Sequence, residues 1–261
     1  MPGDGNRSVT GAPIRYEWTE DAYLLFERAV RALAARSESR QVCEVGAGAN
    51  PLLSPDECRE MAIAYTIMDA SPEELAKAGS EYASVQANVL QAGSLGEDAY
   101  DLIISRYLVE HLSDSARFHR AAYRALRVGG HAAHWFPTLW AWPFTMNRVL
   151  PEGLSYRALK LAQRGRSDDG KHGKFPAMYD HCRGPSQRQI DWFQALGFDV
   201  VDYVGCFGHR AYYARVPRLQ GVHDRFSHFL ARHPVPPMTS FSFVVLRRAD
   251  RDEDRRPRRA R

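Results

Sequence analysis

A chain of 261 residues with 44% apolar and 25% charged side chains suits one α/β domain with a full core and is too apolar for a disordered polymer. Half of the formal +4 charge comes from residues 249–261, where six Arg face four acids, so the body is close to neutral and lacks the clustered Lys and Arg of a nucleic-acid face. No run of 18 apolar residues argues for a membrane span, and Cys43, Cys58, Cys182 and Cys206 have no C-x-x-C pair or nearby His, so neither a metal site nor a disulfide framework is expected.

Residues 1–13 are Gly, Pro and polar side chains, expected to be disordered. They hold no apolar leader, and with thiols that show no pairing pattern this makes the cytoplasm the expected compartment. A helix is predicted from Glu20 to Arg36, capped by Thr19, with Glu20 and Asp21 at its positive end and Leu24, Ala29, Val30, Leu33 and Ala34 on one face. QVCEVGAGANP then spans residues 41–51 and reads as a strand, Gln41 to Val45, running into a turn on Gly46 and Gly48. Glycines there let the backbone take left-handed angles and approach a ligand closely, as happens at the carboxyl edge of parallel sheets. Pro51 stands where a dinucleotide-binding loop needs its third glycine, which disfavours NAD.

With Glu44, Gly46 and Gly48 in place and Asn50 at the position of a last glycine, this pattern resembles the first motif of class I S-adenosylmethionine-dependent methyltransferases. Asn tolerates left-handed angles, so the turn is expected to survive the replacement. The resemblance implies S-adenosylmethionine as cofactor, a seven-stranded, doubly wound, mostly parallel sheet, and Ala47 within the binding turn. It also implies that Tyr16, just ahead of the first helix, lies over the cofactor, although an aromatic that simply packs the helix is the commoner case.

Ser54-Pro55-Asp56-Glu57 reads as a capping box, and the strand after it ends at Asp69, 23 residues past Gly46. One carboxylate can take both hydroxyls of a ribose, and Ser71 to Glu74 supplies a second capping box that leaves Asp69, with Ala70, for a ligand. The strand from Ala83 to Ala87 leads to Asn88 and Val89, where Asn88 suits either an adenine contact or a turn. Tyr100 to Ser105 followed by RYLVEHL resembles the family's fourth motif, which implies Ser105 and Arg106 near the methionine end of the cofactor. A helix from Ser115 to Leu126 is predicted to stop at a glycine cap on Val128-Gly129-Gly130, before a strand from His131 to Phe136. His131 and His134 on that strand read as core or sheet-edge residues. A helix near 187–196, a strand from Phe198 and a strand at 240–246 complete seven strands.

The expected domain covers 14–248, with cap insertions at 137–184 and 205–239 and a disordered charged tail at 249–261. Candidate acceptor contacts are His111, Trp140, Trp142, Tyr179, His181 and Arg183, and candidate bases are His111, His172, His181, Tyr179 and Glu110. The residues and the resemblance together imply a methyltransferase acting on an O, N or C atom of a small apolar or aromatic acceptor, most like the quinone and natural-product branch. A lipid-linked or glycan substrate is the alternative, as is a non-catalytic S-adenosylmethionine-binding module. A peripheral membrane contact beside Arg148 and Lys160 stays open, and the oligomeric state is not legible.

Overall fold

The computed structural model describes residues 14–36, 38–138, 177–213 and 217–249. In chain order they form β1 (Ile14–Trp18), α1 (Thr19–Ala34), β2 (Gln41–Val45), α2 (Pro55–Glu60), β3 (Ala64–Asp69), α3 (Pro72–Ala78) and β4 (Ala83–Gln86). There follow β5 (Tyr100–Arg106), α4 (Ser115–Ala125), β6 (Leu126–Pro137), α5 (Gln187–Ala195), β7 (Phe198–Phe207), α6 (Pro217–Arg232) and β8 (Phe241–Arg248). The strands make one sheet in the order β1-β7-β8-β6-β5-β2-β3-β4, with β8 antiparallel to β6 and β7 and every other neighbouring pair parallel. One face is covered by α1, α2 and α3 through Phe26, Val30, Cys58 and Leu75, and the other by α4 and α5 through Phe118, Ala122, Ile190 and Phe193.

The expected doubly wound α/β sheet is therefore present, with eight strands where seven were expected. The additional strand, β1, is IRYEW, too short to show an alternating pattern, and it is a strand because β7 offers it an edge. Arg15 pairs with Asp202 across that edge. Helix α1 also differs in rotation and cap. Trp18 holds the cap position without a side-chain hydrogen bond, while the Thr19 hydroxyl donates to the Gly208 carbonyl at 2.7 Å. The buried stripe is Ala22, Phe26, Val30 and Ala34, and Leu24 is exposed.

The glycine cap after α4 is not formed. The helix ends at Ala125 and Leu126 is already extended and paired with Tyr100, so Gly129 (φ +79°) and Gly130 lie in the irregular start of β6, before His131 pairs with Leu102. A Cβ on Gly130 would lie 2.9 Å from the Arg127 carbonyl, which is why this bulge needs glycine. The capping box at Ser54 forms as expected, with Ser54 N–H donating to Glu57 Oε2 at 2.8 Å. β7 continues to Phe207, so the second insertion starts at Gly208. Residues 1–13, 139–176 (with Trp140, Trp142 and His172) and 250–261 lie outside the described residues.

Candidate active site at the carboxyl edge

The site begins where β2 stops. Gly46 (φ +71°) and Gly48 (φ +49°) are both left-handed, and Gly46 N–H donates to the Met68 carbonyl of β3 at 2.7 Å. A Cβ on Gly48 would lie 3.5 Å from Asp69 Oδ2, so a side chain there would enter the space between the turn and that carboxylate. Ala47 is buried within the turn, and its carbonyl accepts from Asn50 N–H at 3.1 Å. Asn50 itself is not among the left-handed residues. Two glycines complete the reversal, and Asn50 contributes its carbonyl, which accepts from Arg106 Nη2.

Glu44 is 1% exposed and its oxygens are answered by protein groups. Arg106 Nε donates to Oε1 at 2.9 Å, Leu52 N–H donates to Oε2 at 2.7 Å, and the Tyr65 hydroxyl donates to Oε2 as well. Burial, with the Glu44 charge beside it, raises the Tyr65 phenol well above its ordinary value and keeps it a donor. Arg106 also donates from Nη1 to the Tyr23 hydroxyl at 2.9 Å. Glu44 and Arg106 therefore brace the glycine turn from behind, holding β2, β5, α1 and the turn together.

Asp69 ends β3 beside the turn. Its Oδ1 accepts from Ser71 N–H at 2.9 Å. The second capping box is thus only half made: Ser71 Oγ accepts from Glu74 N–H at 3.2 Å, but the reciprocal bond goes to Asp69. Ala70 is exposed next to it. Asn88 is also exposed, and its Oδ1 accepts from Leu90 N–H at 2.9 Å, so the side-chain oxygen closes a turn.

Of the residues expected around the cofactor, Tyr16 lies on a distant strand, and the side chains of Val89 and Ser105 are buried. Tyr16 lies on β1, stacked on Phe207, with β7, β8, β6 and β5 between it and β2. Val89 is a buried core side chain, because the turn at Asn88 directs it inward. Ser105 is 0% exposed and its Oγ lies 2.8 Å from His134 Nδ1, on the inner side of the strand.

The candidate acceptor residues within the described chain converge only in part. His111, on the 3-10 turn Val109–His111, and the segment Tyr179 to Arg183 meet at Glu110, whose carbonyl accepts from Met178 N–H at 2.7 Å and Tyr179 N–H at 3.0 Å. His181 is left-handed and stacks on Trp192 at 4.0 Å, so its ring packs against α5. Tyr179 is buried in the core, and Arg183 is tied through its carbonyl to the Tyr203 hydroxyl at 2.8 Å. Below this segment the chemistry is that of neutral groups. Burial pushes the Glu110 carboxyl up to about 8 and the His119 imidazole down to about 4, and it holds His134 well below its ordinary value.

A cleft of about 370 Å³ lies on the other side of Arg106, lined by Thr19, Glu20, Tyr23, Leu24, Tyr107 and Trp135. Tyr107 is left-handed and half exposed, with its N–H bound to the Trp135 carbonyl at 3.0 Å. The buried indole N–H of Trp135 has no hydrogen-bond partner among the described residues. Sequence reasoning missed Tyr23, Tyr107 and Trp135 as site residues. The available signal was position: Tyr107 is the first residue past the carboxyl end of β5, where α/β sheets receive ligands.

Residues 18–203 match the sequence profile of a family described as a methyltransferase domain. No curated protein matches the chain in sequence. Among solved structures, geranyl diphosphate C-methyltransferase from Streptomyces coelicolor A3(2), in complex with Mg²⁺, geranyl diphosphate and S-adenosyl-L-homocysteine, superposes with a TM-score of 0.55 at 11% identity, over 88% of this chain and 80% of that one. A SAM-dependent methyltransferase from Archaeoglobus fulgidus gives 0.52 at 13% identity, over 86% of this chain and 93% of that one. The [4+2]-cyclase SpnF gives 0.53 at 14% identity, over 89% and 83%. At these identities the structural likeness is one of fold.

Proposed function

The chain belongs to the S-adenosylmethionine-dependent methyltransferase family, and from that membership we propose that it moves a methyl group to an O, N or C atom of a small, apolar or aromatic acceptor at the carboxyl edge of its sheet. The observation that carries the reading is the left-handed Gly46–Gly48 turn facing the Asp69 carboxylate on the neighbouring strand. Family membership implies binding of S-adenosylmethionine and S-adenosylhomocysteine, and the cradle suits it: a side chain at Gly48 would intrude exactly where none is present, next to a carboxylate able to accept from two adjacent ribose hydroxyls. In this reading Gly46, Ala47, Gly48, Asp69 and Ala70 hold the adenosine side, with Asn88 at the adenine, while Glu44 and Arg106 keep the turn in shape.

Bound there, the cofactor supplies a methyl group already activated on a sulfonium. The chain's own contribution is then position, and holding two reactants in attack geometry is worth up to about 7–11 kcal/mol. The cleft beside Tyr107 adjoins Arg106 and offers aromatic walls from Tyr23, Tyr107 and Trp135, which favour a flat or apolar acceptor. His111, on the 3-10 turn that follows β5, is the candidate base in this reading.

The reading treats 14–248 as one methyltransferase domain. Among the described residues no helix is long and apolar enough to cross a membrane. Cys43, Cys58, Cys182 and Cys206 are buried free thiols, which suits the reducing cytoplasm. Calorimetry should detect S-adenosylhomocysteine binding and no NAD binding. Transfer of labelled methyl from S-adenosylmethionine to an aromatic acceptor panel would support the reaction, and NAD binding in place of S-adenosylhomocysteine would contradict it.

A further inference from the structure

A second cavity, of about 330 Å³, opens further along the carboxyl edge between α6, the turn after β7 and the entry to β8. Thr19 joins it to the cleft beside Tyr107, because Thr19 lines that cleft and its hydroxyl donates to the carbonyl of Gly208, which lines the cavity. Leu219, Val222, Phe226 and Leu230 enter it from one face of α6, and Met238 adds to the same wall. Three of these are well exposed, Leu219 at 48%, Val222 at 64% and Phe226 at 48%, so the apolar wall is accessible.

The polar lining is occupied internally. His209 N–H donates to His223 Nε2 at 3.0 Å, His209 Nδ1 lies 3.0 Å from Ser240 Oγ, His209 Nε2 lies 3.2 Å from the Tyr213 hydroxyl, and Ser227 Oγ donates to the His223 carbonyl at 2.8 Å. Among the described residues, no Asp, Glu, Lys or Arg lines it. Burial pushes His209 down to about 3 and lowers His223 too, so neither imidazole supplies a cation at neutral pH. A charged group entering here would lose water without meeting a counter-charge among the described lining residues.

We propose that this cavity receives the uncharged, apolar body of the methyl acceptor, whose reacting end reaches the cleft beside Tyr107. The proposal rests on the methyl-transfer reading above. β7 and β5, which Tyr107 follows, are separated by β8 and β6, three strand spacings of about 4.8 Å each, so an extended molecule about 14 Å long spans the two openings. The acceptor class that follows is elongated, apolar and without a phosphate, carboxylate or ammonium in its body.

The test titrates Nile red, an uncharged apolar dye, into the full chain, with farnesol and farnesyl phosphate as competitors and S-adenosylhomocysteine affinity measured in parallel. Farnesol should displace the dye about tenfold more strongly than its phosphate. Val222→Asp and Phe226→Asp, at exposed positions that spare the core, should each weaken dye binding about tenfold or more while cofactor-product affinity stays within about threefold. Equal displacement by the phosphate, or unchanged dye binding in both variants, would overturn the proposal. So would light scattering that finds a dimer which Val222→Asp converts to monomer, since a second copy would then occupy the wall. Failure of the wild-type chain to bind S-adenosylhomocysteine, with the dye results as expected, would instead sink the methyl-transfer reading and leave the ligand class of the cavity standing.

Discussion

A carboxylate as deeply buried as that of Glu44 is stable only if its charge and lone pairs are answered, and Arg106, Tyr65 and the Leu52 N–H do this. Arg106→Ala should therefore cost about 3–5 kcal/mol, read by urea denaturation, because it leaves the charge buried and unpaired. Arg106→Lys should recover only part, since one ammonium cannot fork to Glu44, Tyr23 and the Asn50 carbonyl together. A wild-type midpoint for Arg106→Ala would show that the pair is dispensable. Glu110 makes a pH prediction. Its carboxyl rises from an ordinary 4.5 to about 8 in the folded chain, so folded protein keeps a proton that unfolded chain has released. Stability is thus highest below the unfolded value and falls as pH rises toward about 8. His119, lowered to about 4, acts with the opposite sign and only below its ordinary 6.5, which leaves the window from 6.5 to 8 to Glu110. Glu110→Gln should flatten the fall in melting temperature across that window, and an unchanged slope would assign the effect elsewhere.

Elements whose residues carry their own signal were legible in advance. β2 with its glycine turn, α2 with its capping box, and β5 all appear within a residue or so of expectation. What failed depends on partners far away in sequence. β1 exists because β7 has an edge to offer, and Leu126 leaves the helix early because Tyr100 can pair with it, neither of which five or six residues can announce. The same limit hid a pairing within the expected site: Glu44 and Arg106 are 62 positions apart, and only the adjacency of β2 and β5 brings them together. Tyr16 was misplaced for this reason too, as an aromatic before a helix does not reveal which sheet edge its own strand will join. The packing of β1 on β7 gives an element-scale prediction. A Cβ on Gly205 would lie 2.7 Å from Pro185 Cδ and 2.9 Å from Tyr16 Cδ1, with Thr239 as close. Gly205→Ala should cost about 1–3 kcal/mol in thermal unfolding through overpacking, and a neutral result would mean that β1 yields freely.

Across the whole molecule, the sheet order places the proposed ligand-facing features in one row. The glycine turn after β2, Asp69 at the end of β3, Tyr107 after β5, and Gly208 after β7 all sit at the carboxyl ends of parallel strands. That is where an open α/β sheet leaves room for ligands, and it lets cofactor and acceptor approach each other along one edge. The proposed cofactor site at the Gly46–Gly48 turn and Asp69 is the hinge of this arrangement. Its most direct test is S-adenosylhomocysteine affinity by calorimetry for the wild type, Asp69→Asn and Asp69→Ala, with melting temperatures as the control for the Ser71 contact. Asp69→Ala should weaken binding by about 1.5–3 kcal/mol, roughly 10- to 150-fold, with Asp69→Asn in between and the fold intact. Wild-type affinity in Asp69→Ala would contradict a cofactor site at this turn.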